Sequence, residues 1–447
     1  MNLLTNGRVI TRDEGGKGYY EKGAVAYEGT KIVEVGEEAA LRAKYPQAEI
    51  IDAKGGVIMP AFINAHTHIY SALARGLSIV GNNPTNFYEV LDGTWWAMDR
   101  KLTLEGSRAS ADALYIDCIK QGVTTIFDHH AAYCEIPGSL FQIGESAKKF
   151  GIRSCLCYEV SDRDGEEKCL QAIKENADWI TYCEQQKDPM LAAMFGGHAL
   201  FTISDKTFDR MVEANNGRTG YHIHVSEGMN DVYDSLQNYG RRPVQRLQDH
   251  GILGEKTILG HCIHVNTAEM DIIRETNTMV VNNPESNMGN AIGICPVLQL
   301  YKRGILLGMG TDAYTNDMLE SLKVALCSQR SQNCLPNVGW CEVTDMPFKN
   351  NAKIGEKYFP ATLGVLKSGA AADIIVMDYK PFTPFSAENI DGHMLFGMAG
   401  RQCETTMCAG RLLMKDRKLL IADEEAENAH ILEAAKKLWG ALNHREY

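Results

Sequence analysis

The chain reads as an α/β protein: a (β/α)8 TIM-like barrel with a small β-sandwich domain built from both chain ends. Three observations carry this reading. Between residues 57 and 310, eight short apolar, β-rich runs alternate with helix-patterned stretches, the signature of parallel strands joined by helical crossovers. The residues on either side of that section read as short strands and tight turns. The polar residues able to do chemistry fall at the C-terminal ends of the runs, where barrel enzymes build their sites. An open doubly wound sheet is the alternative arrangement.

In chain order, strands are predicted over 3–11, 23–28 and 31–35, with Glu28-Gly29-Thr30 turning between the last two. The barrel runs are 57–63, 123–127, 152–158, 192–196, 221–224, 257–259, 279–282 and 305–310. Helical stretches between them include 103–121, 139–150, 166–185 and 267–276, and the first is bracketed by Thr103 as N-cap and Gly122 just past its end. The β pattern returns at 372–377, 402–409 and 411–414, with Ala409-Gly410 turning between the last two. Residues 424–442 read as a terminal amphipathic helix with Ile431, Ala435, Leu438 and Leu442 along one stripe. The predicted division is 1–57 and 362–420 for the small domain, 58–361 for the barrel and 421–447 for the helix.

Composition narrows the partners. With 45% hydrophobic and 23% charged residues, a chain of 447 can bury a core rigid enough to hold a site. A net charge of −12, and no basic run longer than Arg241-Arg242, argues against a nucleic-acid partner. There is no basic-then-apolar leader and no apolar stretch of about 18 residues, so neither secretion nor a membrane is expected. Thirteen scattered cysteines without a Cys-x-x-Cys pair fit free thiols in a reducing cytoplasm.

The chemistry concentrates at strand ends. The first run ends in Asn64-Ala65-His66-Thr67-His68, and two histidines at i and i+2 share a face and can meet one metal. Taken alone, such a pair is as often satisfied structurally or lies on the surface. The fifth run ends on His224, with Glu227 three residues on, and His222 lies deeper on the same face. The sixth ends in Gly260-His261 and the eighth in Gly310-Thr311-Asp312. Four separate strand ends thus offer a His or Asp at one edge, which favours a metal site over coincidence. His129, Glu159 and His198 fall at the ends of the second, third and fourth runs, and each could line a substrate pocket or pack structurally.

The frame Val57-Ile58-Met59-Pro60-Ala61-Phe62-Ile63-Asn64-Ala65-His66-Thr67-His68 resembles the opening metal motif of the amidohydrolase superfamily. His224-Val225-Ser226-Glu227, His261-Cys262-Ile263-His264, Pro284-Glu285-Ser286-Asn287 and Gly310-Thr311-Asp312 are similar to motifs of its cytosine deaminase and atrazine chlorohydrolase branch. Leu363-Gly364 and Gly369-Ala370-Ala371-Ala372-Asp373 resemble that branch's return to the sandwich, so the match runs from about residue 1 to 420. Within the branch, Phe127-Asp128-His129-His130, Cys157-Tyr158-Glu159, Gly197-His198-Ala199 and Phe396-Gly397-Met398 resemble the SsnA aminohydrolases.

The resemblance implies that His66, His68, His224 and Asp312 bind one divalent metal, zinc before Fe(II), which activates a water. It implies that Asp312 takes that water's proton, His261 orients the water, and Glu227 protonates a ring nitrogen or leaving group. It also implies that Asn287 contacts the water or the substrate, and that the protein is a homo-oligomer, dimer or tetramer. Dihydropyrimidinase-like relatives hold two metals on a carbamylated lysine after the fourth strand. Here no lysine occurs there before Lys206, which favours one metal. The implied function is an aminohydrolase acting on a small purine- or pyrimidine-like heterocycle. Ring opening or dechlorination by the same site, or a catalytically silent binding homologue, are the alternatives. Asn282, where many branch members carry histidine, and Leu200, where many carry proline, mark departures on the substrate side. One expected outcome is close to one equivalent of metal per chain by elemental analysis after gentle purification. A reproducible two equivalents would move the reading to the two-metal type.

Overall fold

The barrel's eight strands all run parallel, and they close at two seams that demand glycine. A computed structural model describes all 447 residues. One block of parallel strands comprises Phe62–Thr67, Val123–His130, Arg153–Tyr158 and Leu191–Ala193. The other comprises Phe195–Ala199, Tyr221–Val225, Ile258–His261, Met279–Asn282 and Leu307–Met309. Leu191–Ala193 and Phe195–Ala199 are two pieces of the fourth strand, interrupted at Met194, whose N–H still donates to Leu156 O at 3.1 Å. Bridges Val160–Gly197 and Thr67–Asp312 then join the blocks into a closed ring.

At the first seam a Cβ on Gly196 would lie 2.3 Å from Tyr158 O. At the second, a Cβ on Gly310 would lie 2.6 Å from His66 O. Any larger residue at either position would push adjacent strands apart.

The interior is layered. Ile63, Ala65, Phe127, Cys155, Cys157, Met279 and Val281 fill its lower part as one buried apolar cluster. Above them the inward positions turn polar: His129 follows Phe127, Glu159 follows Cys157, and His198 and His224 continue their own strands. Helices pack outside against a second, larger core. Leu104–Gln121 shows how sequence sets their limits: Thr103 Oγ1 accepts from Gly106 N–H at 3.1 Å, and Gly122 ends the helix at φ 77°.

Nine strands from both chain ends form the small domain as one hydrogen-bonded sheet. Ile374–Met377 pairs antiparallel with Val57–Pro60, which pairs parallel with Asn2–Ile10. The apolar run 57–63 is therefore divided: Val57–Pro60 belongs to this sheet, and the barrel begins after Ala61. The expected boundary at 57 moves to about 61, because an uninterrupted apolar run conceals where one sheet hands over to the other. The terminal helix Glu424–Asn443 lays Ala434 and Leu438 against Leu104–Gln121 and is tied there by Lys120–Glu424 and Lys437–Glu105. All thirteen cysteines are free thiols. No helix is long and apolar enough to cross a membrane.

A buried ion pair joins the two domains. Arg153 Nη1, on the third barrel strand, pairs with Asp373 Oδ2, while Asp373 Oδ1 accepts from Ala409 N–H at 2.6 Å. Asp373→Ala would leave the guanidinium buried and uncompensated, at a cost of about 3–5 kcal/mol. Urea unfolding should show that loss as a lower midpoint, and an unchanged midpoint would mean the pair contributes nothing.

Candidate metal centre

Regular strands alone would not assemble this site. On the first strand Ile63 and Ala65 face the lower core, so simple alternation would turn His66 outward. A bulge between Asn64 and Thr67, where three steps match two on Val123–His130, resets the phase and brings His66 and His68 inward. On the sixth strand Gly260 faces His224 and His66, which would again send the next residue outward. Left-handed backbone at His261 (φ 68°) and Cys262 (φ 49°) turns His261 back. Ser226 (φ 50°) and Asp312 (φ 53°) are strained in the same way. Such conformations persist only where surrounding structure enforces them.

Six side chains converge. His68 Nε2 lies 3.1 Å from His224 Nε2 and 2.8 Å from Asp312 Oδ1. His66 Nε2 is 3.6 Å from Asp312 Oδ1, and His261 Nε2 is 3.9 Å from Asp312 Oδ2. Glu227 Oε1 stands 3.7 Å from His261 Nε2.

Each imidazole is held from behind through Nδ1. His68 donates to His129 O at 2.6 Å, His224 to His198 O at 2.8 Å, and His261 to Asn287 Oδ1 at 2.8 Å. A carbonyl oxygen only accepts, so Nδ1 carries a proton and Nε2 is the nitrogen that faces the centre. His66 Nδ1 pairs with His222 Nε2 at 2.7 Å, and its own buried Nε2 has no hydrogen-bond partner. An orphaned ring nitrogen facing a carboxylate and two further Nε2 atoms fits a divalent metal. His66, His224, His261 and Asp312 offer donor atoms all within 4.8 Å of one another. A second grouping, His68, His129 and His224, reuses two of the converging rings and defines no separate centre.

The carboxyl groups are driven apart electrostatically. Burial, followed by the charge of Asp312, pushes Glu227 well above the usual carboxylate range. Burial acts on Asp312 in the same sense, but His68 and His66 outweigh it and hold Asp312 well below that range. The surroundings thus favour the protonated form of one carboxyl and the ionised form of the other, the division that acid–base chemistry uses. Ser286 Oγ also donates to Asp312 Oδ2.

The pocket beside the centre is walled by Glu159, His198, Glu227, Trp95, Trp96 and Tyr314. Two expected substrate contacts lie elsewhere. His129 is fully buried, its Nε2 directed to Gly197 O and His222 O at 3.0 and 3.1 Å. Asn287 stands behind His261 and donates to Asn282 Oδ1 at 3.2 Å. Both residues belong to the support: His129 is buried beneath the pocket on its strand, and Asn287 stands on the short helix Pro284–Gly289 behind His261. Sequence reasoning missed that role for His222, although it placed the residue on the correct face. It also missed Asp231, whose carboxylate accepts from Ser226 and Phe201 N–H at 2.6 and 3.0 Å and fixes the turn carrying Glu227. Nothing local in the sequence marks Asp231, which sits in the first turn of an ordinary helix.

Fold and site together define a barrel hydrolase built around a divalent metal. Residues 57–413 match the model of the amidohydrolase family, and 23–48 match an imidazolonepropionase-like composite domain of bacteria. The chain is 31% identical, over 90% of its length and 91% of the relative's, to a 5'-deoxyadenosine deaminase of Methanobrevibacter smithii. It is 30% identical, over 92% of its length and 93% of the relative's, to a 5-methylthioadenosine/S-adenosylhomocysteine deaminase of Thermococcus sibiricus. Its fold is similar to a zinc-bound adenosine deaminase of Xanthomonas campestris (TM-score 0.84, 21% identity, 98% of each chain covered). It is likewise similar to the zinc-complexed atrazine chlorohydrolase TrzN of Arthrobacter aurescens (TM-score 0.80, 22% identity, 97% of this chain and 100% of that one). The chain belongs to the amidohydrolase family, and it is a hydrolase acting on C–N bonds.

The His66–His222 contact makes a prediction for the centre. His222→Ala removes the group that orients His66, and metal affinity should fall about 10–100-fold, as when an outer-shell partner is lost. Competition with a chelator reads this directly; an unchanged affinity would take His222 out of the support.

Proposed function

We propose that the protein is a one-metal aminohydrolase that replaces the exocyclic amino group of a purine-like heterocycle with oxygen, using water and releasing ammonia. The observation that carries this reading is the convergence of four Nε2 atoms and Asp312 beside a buried Glu227 whose surroundings favour its protonated form. A divalent metal bound by His66, His68, His224 and Asp312, zinc in the first instance, supplies the Lewis acidity that makes water a nucleophile at neutral pH.

The chain's own groups do the rest. Asp312, ionised, accepts a proton from the attacking water and passes it on to the departing amine. His261, locked by Asn287, orients the water through Nε2. Glu227 donates to the ring nitrogen next to the reacting carbon, so that the ring accepts the electron pair as the C–O bond forms. Collapse then breaks the C–N bond and returns the ring-nitrogen proton to Glu227. Trp95, Trp96 and Tyr314 give the wall flat apolar surface suited to a planar ring.

The choice of a purine-like ring rests on the deaminases of adenosine derivatives among the relatives. The pocket lining contains no Lys or Arg, and Glu159 and Asp312 add negative charge, so a phosphorylated substrate is disfavoured. An ammonia-release assay on metal-replete enzyme should detect turnover of adenosine or 5'-deoxyadenosine and none of adenosine 5'-phosphate. Glu227→Gln should keep its metal and lose about 100-fold or more in kcat, the scale of general acid catalysis. An unchanged kcat would remove Glu227 from the mechanism.

A further inference from the structure

Glu159 stands apart among the buried charges of this molecule. Its side chain is 3% exposed and lies on the pocket wall. By contrast, Asp231 accepts two backbone N–H groups, and Glu269 holds Arg242 at 2.7 Å and the Val244 N–H at 3.1 Å. Glu159 has no such partners. Its nearest donors are His129 Nδ1 at 3.4 Å, Arg163 Nη2 at 3.7 Å and His198 Nε2 at 3.8 Å. All three are well beyond the roughly 2.7–2.9 Å of a charge-assisted hydrogen bond.

Two of those donors are engaged elsewhere, while His129 Nδ1 has no other partner and stays at 3.4 Å. Arg163 is held by Asp99 and Asp164 and stacks over Tyr133 and Trp96. His198 Nδ1 pairs with Thr202 Oγ1 at 2.7 Å. Glu159 therefore has its charge balanced and its hydrogen-bonding capacity open. Burial works against ionisation, and the neighbouring His198, His129 and Arg163 outweigh it, holding the carboxyl well below its usual range. An ionised carboxylate only accepts, and a buried acceptor without a donor is costly.

Building on the aminohydrolase reading, we infer that Glu159 is a specificity-determining substrate contact: it accepts a hydrogen bond from an N–H or hydroxyl donor on the end of the substrate remote from the reacting carbon. The placement supports this geometry. Glu227 and His261 stand at the ends of the fifth and sixth strands and Glu159 at the end of the third, so they reach the same pocket from different walls. A ring protonated by Glu227 on one edge presents its opposite edge, or a group attached there, to Glu159. For a purine that donor has two sources. A free base offers an imidazole N–H, and a nucleoside offers sugar hydroxyls.

Three probes separate these sources: adenine with the N–H, adenosine with the hydroxyls, and 9-methyladenine with neither. Wild-type enzyme should show kcat/KM for 9-methyladenine at least about tenfold below the better of the other two, the scale of one charge-assisted hydrogen bond. Which of the two is better identifies the donor. Glu159→Gln should close most of that gap by falling on the donor-bearing substrate, whereas a purely structural role would lower all three alike. Metal content and Tm of the variant check that it folds, and if it does not, the wild-type ratios decide alone. Equal wild-type rates on all three probes, or a uniform fall in the variant, would overturn the assignment while leaving the aminohydrolase reading intact. No turnover of any of them would remove both.

Discussion

The site depends on the fixing of each imidazole through its Nδ1–H. A histidine can offer either nitrogen, and a metal centre needs the same one from several rings at once. Here the choice is made by neighbouring strands: the His129 carbonyl sets His68, and the His198 carbonyl sets His224. These acceptors are themselves strand-end atoms, so the tautomers follow from closure of the barrel. The two glycine seams consequently bear on the chemistry. If Gly196 or Gly310 could not let adjacent strands approach, the carbonyls and rings would lose register together.

Strain is the second ingredient. A regular parallel barrel would point His66 and His261 away from the centre. The bulge after Asn64 and the left-handed turn at His261–Cys262 correct them, and Asp312 takes up a similar conformation at the eighth strand. These departures cost stability, of order 1–3 kcal/mol for each strained residue. The surrounding hydrogen bonds hold them: Thr311 and Asp312 N–H both donate to His66 O at 3.0 Å, and Asn64 Nδ2 donates to Thr311 Oγ1 at 2.7 Å.

Much of this was legible in the sequence. Eight runs in the right order gave the barrel, and the helix ends at Thr103 and Gly122 followed from capping chemistry. His66, His68, His224, His261 and Asp312 stand out in the sequence because a barrel has one functional edge and each falls on it. What stayed hidden has physical causes. The boundary near 61 lies inside a continuous apolar run. The inward turn of His66 depends on a bulge, and alternation alone reached the same result by wrongly treating the strand as regular. Support and contact look alike at a strand end, which is why His129 reads as a substrate residue in sequence; Asn287 reads so only through the resemblance, and nothing in the sequence assigns His222 or Asp231 to the support. That distinction depends on depth along the barrel axis, which spacing in sequence does not encode.

The central claim is one metal held by Nε2 of His66, His68 and His224 together with Asp312. Anomalous diffraction from crystals of the metal-replete enzyme tests it most directly. A single strong peak bonded to those three Nε2 atoms and an Asp312 oxygen is expected. A peak bonded through Nδ1, a second peak of similar height between His129 and Glu159, or a peak outside this cluster would contradict it.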